Sequence, residues 1–239
     1  MTFPLSLQNK RVAVFGGSSG IGLAVAAQAK AQGSTLTLVS RNPDRLGEAQ
    51  RQIGGAETVA LDIRRERAVA EFFAGRAAFD HVVVSAAELT VGALRKQSLA
   101  EAREAVESKF WGAVNVAHAA NIAADGSLTL VSGMLGCRPS GNATILSAVN
   151  AALDTLARAL ATEMAPIRVN CISPGRIDSP WWDYLSPQDR ESLLLRTASA
   201  LPLKRVGAPV EIAGQIIHAM QNGFMTGSVI QIDGGGSVA

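Results

Sequence analysis

Short apolar runs alternate along this chain with longer stretches in which apolar residues return every three or four positions. Residues 12–15, 35–39, 58–61, 81–84, 127–131, 167–171 and 229–232 read as strands, being apolar or β-branched and too short for helices. Their near-continuous apolar character suits strands buried on both faces. Between them, residues 20–32, 43–53, 64–77, 98–123, 142–165 and 209–221 read as helices. Leu153, Leu156 and Leu160 step along one face of the fifth. Strand–helix alternation from end to end predicts an α/β fold, a seven-stranded parallel sheet with helices on both faces. Right-handed crossovers make such a sheet doubly wound. No repeat or linker interrupts the pattern, so residues 1–239 are expected to form a single domain.

Residues 176–200 break the alternation. They follow a strand and the turn Pro174-Gly175, and they contain Pro180, Trp181, Trp182, Tyr184 and Pro187. An insertion after a strand's carboxyl end lies where ligands bind in these sheets. It is expected to be a substrate lid with Trp181 and Trp182 as apolar walls. The plainer reading is a surface excursion or a subunit contact.

The first strand runs straight into Gly16-Gly17-Ser18-Ser19-Gly20-Ile21-Gly22, which opens the first helix. Glycine is needed where backbone turns tightly and approaches a pyrophosphate, and the helix N-terminus offers free N–H groups to the phosphates. This strand–turn–helix context predicts a Rossmann-type dinucleotide site. The second strand ends in Ser40 and Arg41, where an NAD-type site usually carries an acidic ribose acceptor. A guanidinium binds a 2′-phosphate that a carboxylate would repel, so NADP(H) is predicted over NAD(H). The plainer reading of Arg41 is a solvated loop residue.

Composition narrows the field. With 22 basic and 20 acidic residues the net charge is +2, which gives no electrostatic reason to expect nucleic acid or a membrane surface as partner. No apolar run approaches the roughly 18 residues of a membrane span. Residues 1–10 carry no basic segment followed by an apolar stretch, so no secretory leader is expected. The 2 cysteines, Cys137 and Cys171, and the 3 histidines have no metal-ligand spacing, which suggests reduced thiols in a cytoplasmic protein and no bound metal.

These motifs resemble the short-chain dehydrogenases/reductases over nearly the whole chain. The glycine loop matches that family's Thr-Gly-x-x-x-Gly-x-Gly with Phe15 in the threonine's place. Asp62-Ile63 resembles its adenine-contacting pair, and Ser85-Ala86-Ala87-Glu88 stands where Asn-Asn-Ala-Gly is usual. The run from Arg168 to Gly175 is similar to the sixth strand and its Pro-Gly turn, and Asp233-Gly234-Gly235 to the C-terminal end. The resemblance implies that Asp62, Ile63, Ser85, Ala86, Ala87, Pro174 and Gly175 line the cofactor. It also implies that Ile177 and Ser179 reach the nicotinamide amide and a nearby phosphate. The alanine- and leucine-rich fifth helix is, by the same resemblance, expected to pair subunits in a homotetramer or homodimer.

The family's catalytic positions have all changed. Leu146-Ser147-Ala148-Val149-Asn150 lies where Tyr-Ser-Ala-Ser-Lys is usual, so Leu146 replaces the tyrosine and Asn150 the lysine. The chain's single tyrosine, Tyr184, is followed four places on by Gln188. Gly133 replaces the serine, and Lys109 replaces the asparagine of the fourth helix. The family thus has asparagine on the fourth helix and lysine on the fifth, and this chain has the reverse. Lys109 is expected to bring its ammonium to the opposite wall of the same site and there polarise a carbonyl or stabilise an oxyanion. Asn150 can still hydrogen-bond the nicotinamide ribose. The plainer reading of Lys109 is a surface or interface lysine.

Ser132, beside the vacated serine position, is a weaker proton-donor candidate, as are Ser147 and Tyr184. Arg138 is a candidate anchor for an anionic substrate group, and His118 reads as packing. Three functions follow: a divergent NADP(H)-dependent oxidoreductase acting on a carbonyl or alcohol, an inactive NADP(H)-binding sensor, or an enone (C=C) reductase.

Overall fold

Residues of alternating orientation in each strand feed two cores. Along β1 (Arg11–Phe15), Val12 and Val14 face one side while Ala13 and Phe15 face the other. In the computed structural model, which describes residues 6–88 and 90–239, β1 is central in a seven-stranded parallel sheet. Its other strands are β2 (Thr35–Ser40), β3 (Glu57–Ala60), β4 (Phe79–Val84), β5 (Ile122–Val131), β6 (Arg168–Pro174) and β7 (Val229–Ile232). The order is β3-β2-β1-β4-β5-β6-β7. The chain therefore reverses its direction of travel across the sheet between β1 and β4, the crevice at which doubly wound sheets take ligands.

On one face, α1 (Gly20–Ala31), α2 (Pro43–Gln52) and α8 (Pro209–Gln221) cover Val12, Val14, Leu36 and Leu38. On the other, α3 (Glu66–Ala74), α5 (Gly112–Ala119) and α6 (Thr144–Glu163) cover Phe15, Val82, Leu128 and Leu130. Phe15, Phe72, Phe73 and Phe79 form an aromatic cluster there, with ring centroids 4.9–6.1 Å apart. Both faces are thus apolar, which is why the strands read as continuous runs and not as alternating ones.

The expected helix at 98–123 is divided. Ser98 and Glu101 form a reciprocal cap that starts α4 (Leu99–Val106). A π-helical turn follows at Glu107–Trp111, then α5. Ala120 adopts extended backbone, and β5 already begins at Ile122, which pairs with Phe79 of β4. Alanine-rich sequence favours helix locally, but sheet pairing overrides it here. His118, expected to pack, is exposed. Residues 176–200 contain a 3₁₀ turn at Pro180–Trp182 and the helix α7 (Pro187–Ala200), none of whose residues is buried. Among the described residues no helix is long and apolar enough to cross a membrane.

Candidate active site

The carboxyl ends of β1, β2, β3, β4 and β6 bring the predicted dinucleotide residues together. The turn after β1 is built from backbone. Gly16 has φ +86°, and a Cβ there would lie 2.6 Å from the amide nitrogen of Ala86. A Cβ on Gly22 would lie 2.2 Å from the carbonyl oxygen of Gly16. Ser19 stands at the N-cap of α1, and its side chain makes no capping bond. The first-turn N–H groups of Gly20, Ile21 and Gly22 therefore have no side-chain cap from Ser19. A Cβ on Gly20 would meet the Ser179 Cβ at 3.7 Å, which places Ser179 beside the same turn. Ser18 Oγ donates to Ser40 Oγ at 2.8 Å and ties the turn to the end of β2.

Beyond that turn lies a charged cluster. Arg41 Nη1 donates to Glu88 Oε2 at 2.5 Å, and Arg64 Nη1 lies 3.7 Å from the same oxygen. Arg64 clasps Asp62 through Nε at 3.0 Å and Nη2 at 2.7 Å. Burial alone would raise the Asp62 pKa, but the Arg64 contacts outweigh it and hold the carboxyl below its ordinary range. Ile63 accepts from Asn115 Nδ2 through its carbonyl at 2.9 Å. Ser85 Oγ donates to the Phe15 carbonyl, Ala86 abuts Gly16, and Ala87 is exposed next to Glu88. On the far side of the crevice Pro174 ends β6, and Gly175 lies so close to Asp233 that a Cβ would sit 2.6 Å from its Cα. Ile177 is buried and bridges to Gly207.

Lys109 is neither a surface nor an interface lysine within this chain. The π-helical turn carries it inward, and only 6% of the residue is exposed. Its Nζ donates to Asn150 Oδ1 at 2.6 Å and to the Ser132 carbonyl at 2.7 Å. Burial depresses its pKa to about 8, against the opposing pull of Cys171 and Asp154 nearby. Asp154, one helical turn beyond Asn150 on α6, accepts from the Cys171 thiol at 3.5 Å. Burial pushes that thiol up to about 12. A Cβ at Gly133 would come within 2.8 Å of Asn150 Nδ2, so the glycine makes room for the asparagine amide. The replacements at 133 and 150 are thus sterically linked.

Leu146 is buried, and no hydroxyl stands at its position. Ser132 Oγ is buried without a hydrogen-bond partner, though it lies near enough to the Cys171 thiol to pull that pKa down. Ser147 is turned away, donating to the Ala143 carbonyl at 2.9 Å and accepting from Ser140 N–H. Arg138 donates to the Gly236 carbonyl, tying the turn after β5 to the C-terminal segment. Trp182 is buried with Nε1 donating to the Ile177 carbonyl at 2.8 Å, and Trp181 packs on it at 4.2 Å. Tyr184 is 66% exposed. A cleft of ≈ 730 Å³ opens between α7 and residues 204–206, but Lys109, Ser132 and Asn150 do not line it.

Sequence reasoning missed Asp154 and the Arg41–Glu88 pair. Asp154 was discoverable as the residue four places on from Asn150, on the same helix face. Glu88 had shown only as a departure from an expected glycine.

Comparisons with known proteins bear on the family and the fold. The sequence model of the family described as enoyl-(acyl carrier protein) reductase matches residues 16–237. The short-chain dehydrogenase/reductase ucsE of Acremonium sp is 31% identical, over 98% of this chain and 97% of its own. Human 3-oxoacyl-[acyl-carrier-protein] reductase is 29% identical, over 95% of this chain and 98% of its own. Among solved structures, a small-chain dehydrogenase in complex with NADPH is 35% identical with a TM-score of 0.86, covering 97% of this chain and 100% of that one. The L-sorbose reductase of Gluconobacter frateurii, complexed with NADPH and L-sorbose, is 26% identical with a TM-score of 0.89, covering 98% and 99%.

Proposed function

The chain belongs to the short-chain dehydrogenase/reductase family of oxidoreductases, and on that premise we propose that it is an NADP(H)-dependent enzyme acting on a carbonyl or alcohol, with Lys109 in the role a tyrosine usually fills. The observation that carries the reading is the Lys109 Nζ–Asn150 Oδ1 contact of 2.6 Å, which supports a role for the ammonium beside the position where the family resemblance puts a lysine.

The cofactor residues fit a dinucleotide. Backbone packs so closely at Gly16 and Gly22 that a Cβ would strike main-chain atoms, which suits a tight phosphate-binding turn, and α1 starts there without a side-chain cap. Arg41 and Arg64 stand at the end of β2 and β3 where a 2′-phosphate needs cations. The small-chain dehydrogenase of similar structure carries NADPH, which supports the same cofactor here. When bound, the nicotinamide supplies or accepts the hydride.

Lys109 holds the proton. An ammonium has three N–H groups, and the Ser132 carbonyl and Asn150 take two of them. The third remains for a substrate oxygen on which negative charge develops. A pKa of about 8 leaves the group protonated at neutral pH yet able to release the proton, the condition under which acid catalysis is most effective. Asn150 orients the ammonium, and Gly133 leaves room for the amide that does so. Residues 176–200 act as the lid, with Trp181 and Trp182 as its apolar lining, and α6 pairs subunits in a homo-oligomer.

A second reading is reduction of a conjugated C=C bond. It is favoured by Leu146, since an enolate stabilised by Lys109 can take its proton from solvent. It is also favoured by the description of the matching family.

Titration of the purified protein with NADPH and with NADH, read by tryptophan fluorescence, tests the cofactor. Micromolar NADPH binding with much weaker NADH is expected. NADPH consumption with a saturated ketone and with the matching enone then separates the two reactions. Tight binding with no consumption across a broad panel would return the chain to an NADP(H)-binding sensor.

A further inference from the structure

We infer that Glu88 is a built-in competitor for the cofactor's 2′-phosphate, and that its carboxylate sets how strongly the chain prefers NADP(H) to NAD(H). This rests on the NADP(H) reading above.

One carboxylate oxygen is shared by two arginines. Glu88 Oε2 lies 2.5 Å from Arg41 Nη1 and 3.7 Å from Arg64 Nη1. Two guanidiniums from the ends of β2 and β3 thus converge on a single anionic atom. Arg64 commits Nε and Nη2 to Asp62, and its Nη1 lies between two carboxylates, 3.5 Å from Glu104 Oε1 and 3.7 Å from Glu88 Oε2. Arg41, read above as the reader of the phosphate, therefore already has an anionic partner within its own chain.

The residue is placed to be exchanged. Its backbone is fixed, because Glu88 N–H donates to Ser108 Oγ at 2.6 Å, one residue before Lys109. Its carboxylate is not fixed, because the side chain is 50% exposed and its pair with Arg41 is a surface pair of small net strength. A phosphate brings more charge and more acceptor oxygens, and can engage both guanidiniums in charge-assisted bonds. It outcompetes the carboxylate, which must swing into solvent to avoid like-charge repulsion. A ribose hydroxyl makes the opposite demand, since it donates to a carboxylate that stays in place. Glu88 thereby weakens NADP(H), supports NAD(H), and narrows the preference that Arg41 creates. Arg64 becomes a second phosphate contact.

Glu88→Gln keeps the size and the backbone bond and removes the charge. The whole protein and this variant are titrated with NADPH and with NADH, with thermal melting to confirm folding and Glu88→Ala as the alternative should the first variant melt early. NADPH affinity is expected to rise roughly three- to tenfold, the scale of one exposed charge contact, while NADH is unchanged or weaker. Arg64→Gln is expected to weaken NADPH by a similar factor and leave NADH within about twofold. NADPH affinity that is unchanged or lower in Glu88→Gln, with the wild type binding NADPH, overturns this inference and leaves the cofactor reading intact. NADPH binding by the variant alone upholds it in its strongest form, with Glu88 closing the seat. Failure of wild type and variants alike to bind either cofactor removes the NADP(H) reading and this inference with it.

Discussion

The two ends of the crevice are built from different materials. The glycine-turn end, proposed for the pyrophosphate, is backbone: Gly16 and Gly22 sit where a Cβ would meet main-chain atoms at 2.6 Å and 2.2 Å. The end proposed as catalytic is side chain: Lys109 Nζ meets Asn150 Oδ1, and the closest approach to Gly133 is the Asn150 amide nitrogen. Backbone contacts admit one residue type, so that end follows the family's pattern closely. Side-chain contacts admit an exchange of partners across the site, and in this chain lysine and asparagine meet there as Lys109 and Asn150.

The comparison predicts that the backbone end is the more brittle. Gly22→Val places a branched side chain against the Gly16 carbonyl, in a turn that cannot retreat without moving β1. A clash of this kind costs about 3 kcal/mol or more, so NADPH affinity should fall at least roughly a hundredfold or the melting temperature should collapse. A variant that melts normally and binds NADPH normally would break the claim that this end is fixed by sterics.

Lys109→Met tests the other end. Methionine replaces the buried ammonium with a flexible apolar chain, which relieves the burial of a charge but leaves Asn150 Oδ1 and the Ser132 carbonyl without their donor, at a cost of about 1–3 kcal/mol. The protein should fold and bind NADPH within about threefold of the wild type, while turnover falls roughly 10²–10⁴-fold, the range of a lost general acid. Unchanged turnover would make the lysine a structural strut.

The pH dependence sharpens the same point with a smaller effect. The folded Lys109 pKa of about 8 lies below its ordinary 10.5. Between those values the unfolded chain holds a proton that the folded chain has released. Wild-type stability should therefore rise with pH across that window relative to Lys109→Met, by up to about 3 kcal/mol, and lose that gain as pH falls through 8. Carbonyl reduction should decline above the same pH, where the amine no longer has a proton to give. Melting curves of both proteins from pH 7 to pH 10 give the first quantity, and a pH–rate profile gives the second.

The same division explains what the sequence could show. Strand runs, the glycine turn and the β6 Pro-Gly turn were legible because each is a local pattern with a local cause. The end of α5 was not, because residues 119–124 have helical composition, yet the helix stops at Ala119 and the chain enters β5 at Ile122 through pairing with β4. The Lys109–Asn150 pair was legible as a reversal of an expected pair, although 41 residues separate the two in sequence. Glu88 was legible as an oddity but not as a partner of Arg41, since their 47-residue separation is closed only by the sheet order β2-β1-β4. Asp154 was hidden because a single acidic residue on an amphipathic helix reads as surface, and only packing against Cys171 and Gly136 buries it.

The smallest expected effect belongs to Tyr184→Phe, and its smallness is the content of the test. Tyr184 is the chain's 1 tyrosine, so it is the single phenol able to take over the family's usual acid role. It is 66% exposed and packs edge-on at 6.2 Å from Trp181, on a segment whose anchor is the buried Trp182. Losing an exposed hydroxyl should leave turnover and melting within about twofold and half a kcal/mol of the wild type. A loss as large as that of Lys109→Met, with NADPH affinity preserved, would move the proton from the wall of the crevice to its lid. Lys109 would then be an electrostatic support for an acid delivered by lid closure, and the double variant would lose little more than either single one, the mark of two groups serving one step.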